Sequence, residues 1–321
     1  MKYCAYVAIL AWPHLLFAEA TGHAIVSNER SNTLSIISKD YQVVRTIETC
    51  ARPRGMHFNA DRSGFFVACG DDDLIVLHDS NSFDLLDQIT DVSAPQTFDL
   101  HPDGRRLVVS NEEDAVASVY DVESGELLAE FETGYEPEGV IITSDGRIAF
   151  VASEAANLVH VIDLEAKAII ADILVDTRPR RFALSPDESE LWVSAELAAS
   201  VNIIDVATLK KVGDILFLPN GLRGEQVTPV DVIITKDGQR AYVALGRANR
   251  VAVVDVPGRS VIEYILVGKR AWGLALSDDE TTLYVANGLS DDVTIIDTER
   301  MKAVTSVPVG RVPYDVLLDD R

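Results

Sequence analysis

The residues best suited to bind a ligand follow a loop that recurs seven times, and six of the seven copies have proline at the same place. The two positions after this proline differ from copy to copy. Arginine, tryptophan and tyrosine in one concave site would suit a small planar anion, because a guanidinium pairs with carboxylates and stacks on rings. The candidate residues for binding a ligand or partner are Arg54, Glu138, Arg180, Arg181, Asp231, Trp272, Tyr314 and Asp315.

The same residues have a structural interpretation. Their arginines can pair with their acidic residues and fill the space between them, which would make the group a plug and not a binding site. Repeated units must be alike where they pack, so positions at which the copies differ are free to serve function. The sequence leaves both interpretations open.

Catalytic and metal-binding motifs are missing from the sequence. It has no C-x-x-C-H haem attachment, no G-x-S-x-G nucleophile and no Walker loop. The histidines after residue 20 have no spacing typical of a metal site; they are His23, His57, His78, His101 and His160. We expect no catalytic residue, no metal and no resident cofactor, and therefore a non-enzymatic protein. The alternative is a metal-dependent, lactonase-like enzyme that uses Glu138, Asp231 or Asp315.

The elements that position these residues follow a repeat of about 42 residues. An aspartate ends a V-x-x-I-D run in six copies, with steps of 42, 42, 42, 50 and 42 residues. The segments AIVSN and LYVAN belong to a second marker with the same period. The long step reflects an insertion at 216–227, which we expect to project over the candidate site. These aspartates are Asp79, Asp121, Asp163, Asp205, Asp255 and Asp297.

Each repeat contains four short segments rich in valine, isoleucine and alanine, separated by turn residues. In one repeat these segments are 138–144, 148–153, 158–164 and 168–175. Four antiparallel strands per repeat make one propeller blade, so the sequence predicts an all-β, seven-bladed β-propeller. The segment 313–320 reads as an inner strand without its blade. We expect it to pair with the N-terminal strands and close the ring, which hides two strand edges.

The first 20 residues differ in kind from the rest. A lysine precedes an apolar run at 3–17, and Ala18-Glu19-Ala20 has the small-x-small pattern of a cleavage site. We interpret 1–20 as a cleaved secretory signal peptide and 21–321 as a single propeller domain in the periplasm. Two cysteines follow this segment, Cys50 and Cys69. In an oxidising compartment, they are expected to form a disulfide.

The charge of the chain is strongly negative. It has 51 acidic and 28 basic residues, a formal net charge of −23. Such a surface repels nucleic acid phosphates and anionic lipid head groups. We therefore expect neither nucleic acid binding nor membrane insertion, and we expect a monomer.

The segment LYVANGLSDDVTIIDTERMKAVTSVPVGRVPYDV, 283–316, resembles the YVTN family of β-propeller repeats, and the resemblance extends over the chain after residue 20. The signal segment, the repeats and the ETCARPRGM and FFVACGDDD segments together resemble periplasmic propellers associated with PQQ-dependent alcohol catabolism. This resemblance implies a binding or scaffold protein accessory to that oxidation. Its partner would be a periplasmic protein, such as a quinoprotein dehydrogenase or a cytochrome, or a small anionic ligand.

Overall fold

The computed structural model describes residues 20–321, which form seven four-stranded antiparallel sheets. Residues 1–19 lie outside the described part, so the signal segment and the domain boundary drawn from it stay predictions. Each sheet is one blade. From inner to outer strand, blades 1 to 3 are β28 (Pro313–Leu318), β1 (Ala24–Asn28), β2 (Thr33–Ile37) and β3 (Val43–Glu48); β4 (Pro53–Phe58), β5 (Gly64–Cys69), β6 (Leu74–Asp79) and β7 (Leu85–Thr90); and β8 (Pro95–Leu100), β9 (Arg106–Asn111), β10 (Val116–Asp121) and β11 (Leu127–Glu132).

The other four blades follow the same pattern along the chain. Blades 4 and 5 are β12 (Pro137–Ile142), β13 (Ile148–Ser153), β14 (Leu158–Asp163) and β15 (Ala168–Leu174); and β16 (Pro179–Leu184), β17 (Glu190–Ala195), β18 (Ser200–Asp205) and β19 (Lys210–Leu216). Blades 6 and 7 are β20 (Val232–Ile234), β21 (Arg240–Ala244), β22 (Arg250–Asp255) and β23 (Ser260–Leu266); and β24 (Ala271–Leu276), β25 (Thr282–Asn287), β26 (Asp292–Asp297) and β27 (Lys302–Pro308).

The seven inner strands form a closed ring. Each inner strand contacts the inner strand of the next blade, and β28 contacts both β24 of blade 7 and β4 of blade 2. Strand β28 pairs antiparallel with β1, with Ile25 opposite Leu317. The predicted seven-bladed, all-β propeller and its closure by the C-terminal strand are therefore confirmed.

The repeated residues explain the turns of each blade. The aspartate that ends the third strand in six of the seven blades accepts backbone N–H bonds from the following turn, as Asp79 Oδ1 does from Asn81 and Ser82 at 2.9 and 2.7 Å. The turn between the first two strands needs a residue at positive φ, and Gly104 and Gly146 have φ values of 71° and 73° there. The repeat thus specifies the same blade at each copy.

The apolar core lies between the blades. The inner three strands of a blade are buried on both faces, and the two faces pack against different neighbours. In β17, Trp192 packs in the cluster shared with blade 6, while Leu191 and Val193 pack in the cluster shared with blade 4. Because each blade needs a partner on both sides, the ring is stable only when it is complete.

The insertion packs between blades 5 and 6. Phe217 and Val227 are buried in the shared apolar cluster, and the Leu218 N–H donates to the Tyr264 hydroxyl on the outer strand β23 at 3.1 Å. A 3₁₀ turn, Gly224–Gln226, follows. Within residues 20–321 no hydrogen bond joins the insertion to the candidate residues, and its projection over the candidate site stays a prediction.

The predicted disulfide is confirmed. It joins Cys50, in the loop before β4, to Cys69 at the end of β5, with the two Cα atoms 5.6 Å apart. Residues 20–321 contain no helix whose length and hydropathy would let it span a bilayer.

Removal of residues 311–321 should abolish the cooperative fold. Without β28, the edge of β1 is exposed and blades 2 and 7 lose a neighbour. Urea unfolding followed by circular dichroism tests this, with deletion of the exposed Arg321 alone as the control. A cooperative transition at an unchanged midpoint in the longer deletion would contradict ring closure.

Replacement of both cysteines, Cys50→Ala with Cys69→Ala, should lower the free energy of unfolding by about 3 kcal/mol, because the disulfide restricts the unfolded chain over a loop of this length. The wild-type protein treated with reductant is the matched control and should lose the same amount. An unchanged unfolding midpoint in both samples would refute a stabilising role.

Candidate functional site

The candidate residues lie at the start of the inner strands, where the loops from the previous blades reach the central channel. We call this end of the channel the mouth. Proline suits the first strand position, because it needs no ladder N–H donor there. The preceding residue has a left-handed backbone in several copies, with φ of 55° at Arg52, 64° at Arg178 and 63° at Arg270. Non-glycine residues adopt this conformation only when their surroundings hold them in it.

Glu138 stands at the centre of the mouth. Its carboxylate accepts from Arg180 Nη2 at 3.0 Å and from Arg54 Nη2 at 3.4 Å. The Tyr314 hydroxyl also donates to it. The four side chains come from blades 4, 5, 2 and 1, and all are buried. This contact therefore joins four of the seven blades across the channel.

Further glutamates complete the coordination of the arginines. Arg54 Nη1 lies 3.2 Å from Glu29, and Arg180 Nη1 lies 2.6 Å from Glu154 and 3.3 Å from Glu196. We use the name mouth cluster for the group made of Glu29, Arg54, Glu138, Glu154, Arg180, Glu196 and Tyr314. Arg178 contacts two of its glutamates from the rim, at 2.5 and 3.0 Å.

Aromatic rings lie beside this cluster. The Arg54 guanidinium lies 4.0 Å from the centre of the Tyr314 ring, and Arg181 lies 5.2 Å from the same ring. Arg180 and Arg270 each lie 4.9 Å from the Trp272 ring. Trp272 is partly exposed, so the mouth presents an indole ring flanked by two cations.

Asp231 and Asp315 bind backbone and not side chains. Asp231 accepts the N–H groups of Val232 and Leu274, both at 2.8 Å. Asp315 accepts the N–H groups of Met56 and Val316, both at 3.0 Å. In each case one N–H belongs to the inner strand of the next blade. These aspartates therefore hold adjacent inner strands together.

Burial and ion pairing shift the pKa values of the acidic groups in opposite directions. Burial alone would raise the pKa of Glu138, but Arg180 and Arg54 outweigh it and lower this pKa to about 2. Burial dominates at Asp231 and raises its pKa to about 6, against the attraction of Arg181. Burial also raises the pKa of Asp315. Pairing thus favours the anion at Glu138, whereas burial disfavours it at Asp231.

The structure brings together the sequence-predicted residues in two ways. Arg54, Glu138, Arg180 and Tyr314 are in direct contact, while Arg181 and Trp272 join them through ring contacts. Asp231 and Asp315 have no ion pair within 4.0 Å among the described residues.

Sequence reasoning missed Glu29, Glu154 and Glu196, the glutamates that pair with Arg54 and Arg180. Together with Glu112, which pairs with Arg52, they follow the second strand at the same register. The recurrence of an acidic residue at this position in four repeats could have identified these glutamates from the sequence.

Among residues 20–321, no histidine forms an ion pair or hydrogen bond with the mouth cluster. His160 Nδ1 bonds Asp172 at 2.6 Å and His78 bonds the Phe83 carbonyl at 3.1 Å, while His57 Nε2 lies 3.5 Å from Asp99. Between residues 20 and 321, no group of three or more histidine, cysteine or acidic side chains has the geometry to hold a metal ion.

The substitution Glu138→Gln should lower the free energy of unfolding by about 3–5 kcal/mol, because it leaves two buried arginines without their shared anion. The matched control, Asp278→Asn, breaks exposed pairs with Lys236 and Arg321 and should leave the free energy of unfolding nearly unchanged. Urea unfolding near neutral pH measures both.

The stabilisation by Glu138 should also depend on pH. Because the folded-state pKa of Glu138 is lowered, its contribution is present above the ordinary value of 4.5 and is lost as the pH falls towards about 2. The difference in the free energy of unfolding between wild type and Glu138→Gln should disappear over that pH interval. Equal stability of Glu138→Gln and Asp278→Asn near neutral pH would contradict a central role for Glu138.

Solved structures of several proteins share this fold. The periplasmic gluconolactonase PpgL of Pseudomonas aeruginosa is 19% identical, with a TM-score of 0.79 over 92% of this chain and 98% of that one. The hydrazine synthase of Kuenenia stuttgartiensis is 21% identical, with a TM-score of 0.74 over 82% and 88%. The dihydro-heme d1 dehydrogenase NirN is 13% identical, with a TM-score of 0.71 over 94% and 76%. At these identities the similarity concerns the fold alone.

The sequence itself matches no curated protein. It does match a family model, that of the YNCE-like beta-propellers, over residues 5–278. This match covers most of the chain and agrees with the seven-bladed ring. The chain therefore belongs to the YNCE-like beta-propeller family.

Proposed function

We propose that this chain is a non-enzymatic binding protein of the periplasm, accessory to PQQ-dependent alcohol oxidation, and that its mouth binds a small planar anion. One observation carries the proposal: the carboxylates of the mouth are already engaged, whereas Trp272, Arg181 and Arg270 are partly exposed, although Arg270 also pairs with Glu196 at 2.9 Å. Glu138 accepts from two arginines and a tyrosine, and Asp231 and Asp315 each accept two backbone N–H groups.

A catalytic acid or base needs a free position near the reacting atom, and the contacts of these carboxylates occupy that position. Trp272 is partly exposed between Arg180 and Arg270. A flat anion can stack on the indole while its carboxylate meets a guanidinium, which is the common mode of recognition for such ligands.

Two features support the periplasm as the compartment. The disulfide between Cys50 and Cys69 is of a kind that persists in oxidising compartments. The segment 1–20 has the pattern of a secretory signal.

The link to PQQ rests on the sequence resemblance alone. It identifies the first ligand to test, because pyrroloquinoline quinone is planar and carries several carboxylates. A protein partner at the same face, such as a quinoprotein dehydrogenase or a cytochrome, is the second form of the proposal.

A metal-dependent, lactonase-like enzyme is the alternative function. The similarity in fold to the Pseudomonas aeruginosa gluconolactonase favours it. The engaged state of Glu138, Asp231 and Asp315 weighs against it, since each would have to leave its present partners to bind a metal. Stoichiometric divalent metal in the purified protein, together with gluconolactone hydrolysis that a chelator abolishes, would replace the binding proposal with this one.

Titration calorimetry of the purified 21–321 chain with PQQ tests the proposal. We expect saturable binding at one site, which Arg270→Met weakens at least tenfold because the ligand loses a guanidinium beside the indole. Arg147→Met removes one exposed arginine elsewhere and should leave the affinity unchanged.

Arg270→Met should also keep its fold, because Glu196 retains contacts with Arg178 and Arg180. Absence of PQQ binding, or equal binding by both variants, would refute PQQ recognition at the mouth.

A further inference from the structure

We propose that Arg181 anchors an anion site inside the channel, beside the mouth cluster, that takes the carboxylate of a small monocarboxylate with a flat or short apolar body. This inference deepens the proposed function by naming the group that would hold a ligand's carboxylate. It is tested with benzoate, a simple monocarboxylate, so its result does not depend on whether the protein binds PQQ.

Arg181 differs from the other arginines of the mouth in having no partner. Within residues 20–321, its guanidinium forms no ion pair within 4.0 Å, and only its backbone N–H and carbonyl bond the Ser194 hydroxyl. Its Nε atom is buried without an acceptor, as are those of Arg54 and Arg180. Arg54 and Arg180, in contrast, contact two and three glutamates. A guanidinium has five N–H donors, and leaving them unfilled in a protein interior is costly.

The nearby acids cannot supply the missing partner. Asp231 and Asp315 influence Arg181 electrostatically, but two backbone N–H bonds hold each of them between inner strands. Burial lowers the pKa of Arg181, but Tyr314, Asp231 and Asp315 raise it by more. The net pKa therefore lies above the ordinary value of an arginine. The guanidinium is therefore charged, fixed and open to an acceptor from outside the chain.

The surroundings of Arg181 define the class of ligand. The Tyr314 ring lies 5.2 Å from its guanidinium carbon, and the Trp272 ring lies 5.6 Å from the Tyr314 ring. A carboxylate that accepts from the Arg181 fork would thus place its own body near two aromatic faces. Benzoate has the required shape, with a carboxylate directly on a flat ring.

Blade 6 contributes no arginine or glutamate at the three register positions that supply them elsewhere. These positions are Thr228, Val230 and Gly246, whereas each other blade has arginine or glutamate at one or more of them. Arg181, on the neighbouring blade 5, is partly exposed, whereas Arg54 and Arg180 are buried. An anion bound to Arg181 would leave the ion pairs of the mouth cluster intact, because Arg181 takes part in none of them.

Binding at this site should take up protons. An added carboxylate disfavours the charged forms of Asp231 and Asp315, and Asp231 has a pKa of about 6. The charged or titratable groups that face them or Arg181 from the packed elements are Glu138 on β12, Tyr314 on β28 and His57 on β4. The affinity for benzoate should therefore rise as the pH falls from about 8 to about 6.

Calorimetric titration with benzoate, and with the neutral benzamide, tests the inference. We expect saturable benzoate binding and at least tenfold weaker benzamide binding. Arg181→Met should weaken benzoate binding at least tenfold, and Arg181→Lys should weaken it too, because lysine keeps the charge without the fork. Arg300→Met, at an exposed turn, is the matched control and should bind as wild type does.

The wild-type protein provides a second measurement that needs no variant. Benzoate titrations near pH 6 in two buffers of different ionisation enthalpy should differ by the heat of proton uptake. Absence of millimolar binding, equal binding of benzamide, unchanged affinity in a folded Arg181→Met, or no proton uptake would each overturn the inference. Loss of PQQ binding with benzoate binding intact would overturn only the proposed ligand.

Discussion

A buried carboxylate between two buried guanidiniums is the constraint on which the centre of the molecule depends. Glu138, Arg54 and Arg180 come from three different blades, and Tyr314 adds a fourth from the strand that closes the ring. Charges inside a protein are tolerated only when they are paired, and removal of one partner leaves the others exposed to the cost of desolvation. The side chains at the mouth are therefore coupled to the closure of the ring.

The fold was predictable because the residues that specify each blade recur along the sequence. The V-x-x-I-D aspartates and the turn glycines recur at one period, and each has a local role in a turn that a single sequence reveals. The unpaired segment 313–320 similarly indicated which strands must meet. The insertion at 216–227 was less predictable, because apolar residues such as Phe217 and Val227 direct it into the core between blades.

The site was only partly predictable because the pairing of its charges is not repeated from blade to blade. The position after the loop proline identified Arg54, Glu138, Arg180 and Tyr314, which do meet. The same rule placed Asp231 and Asp315 among the ligand-binding candidates, whereas they bind backbone N–H groups of the next blade. Which arginine pairs with which glutamate depends on distances across the channel, and a pattern along the chain does not contain those distances. Most charges of the mouth therefore pair with each other, whereas Arg181 forms no ion pair among residues 20–321, and binding of a ligand at the mouth stays a proposal.

A crystal structure of the 21–321 chain near neutral pH would test this view of the mouth most directly. We predict Glu138 between Arg54 and Arg180, with the Arg181 guanidinium more than 4.0 Å from every carboxylate of the chain and bonded to water or to an anion from the solution. An ion pair between Arg181 and Asp231 or Asp315 would contradict it, because the cluster would then be fully self-paired and the mouth would be a plug alone.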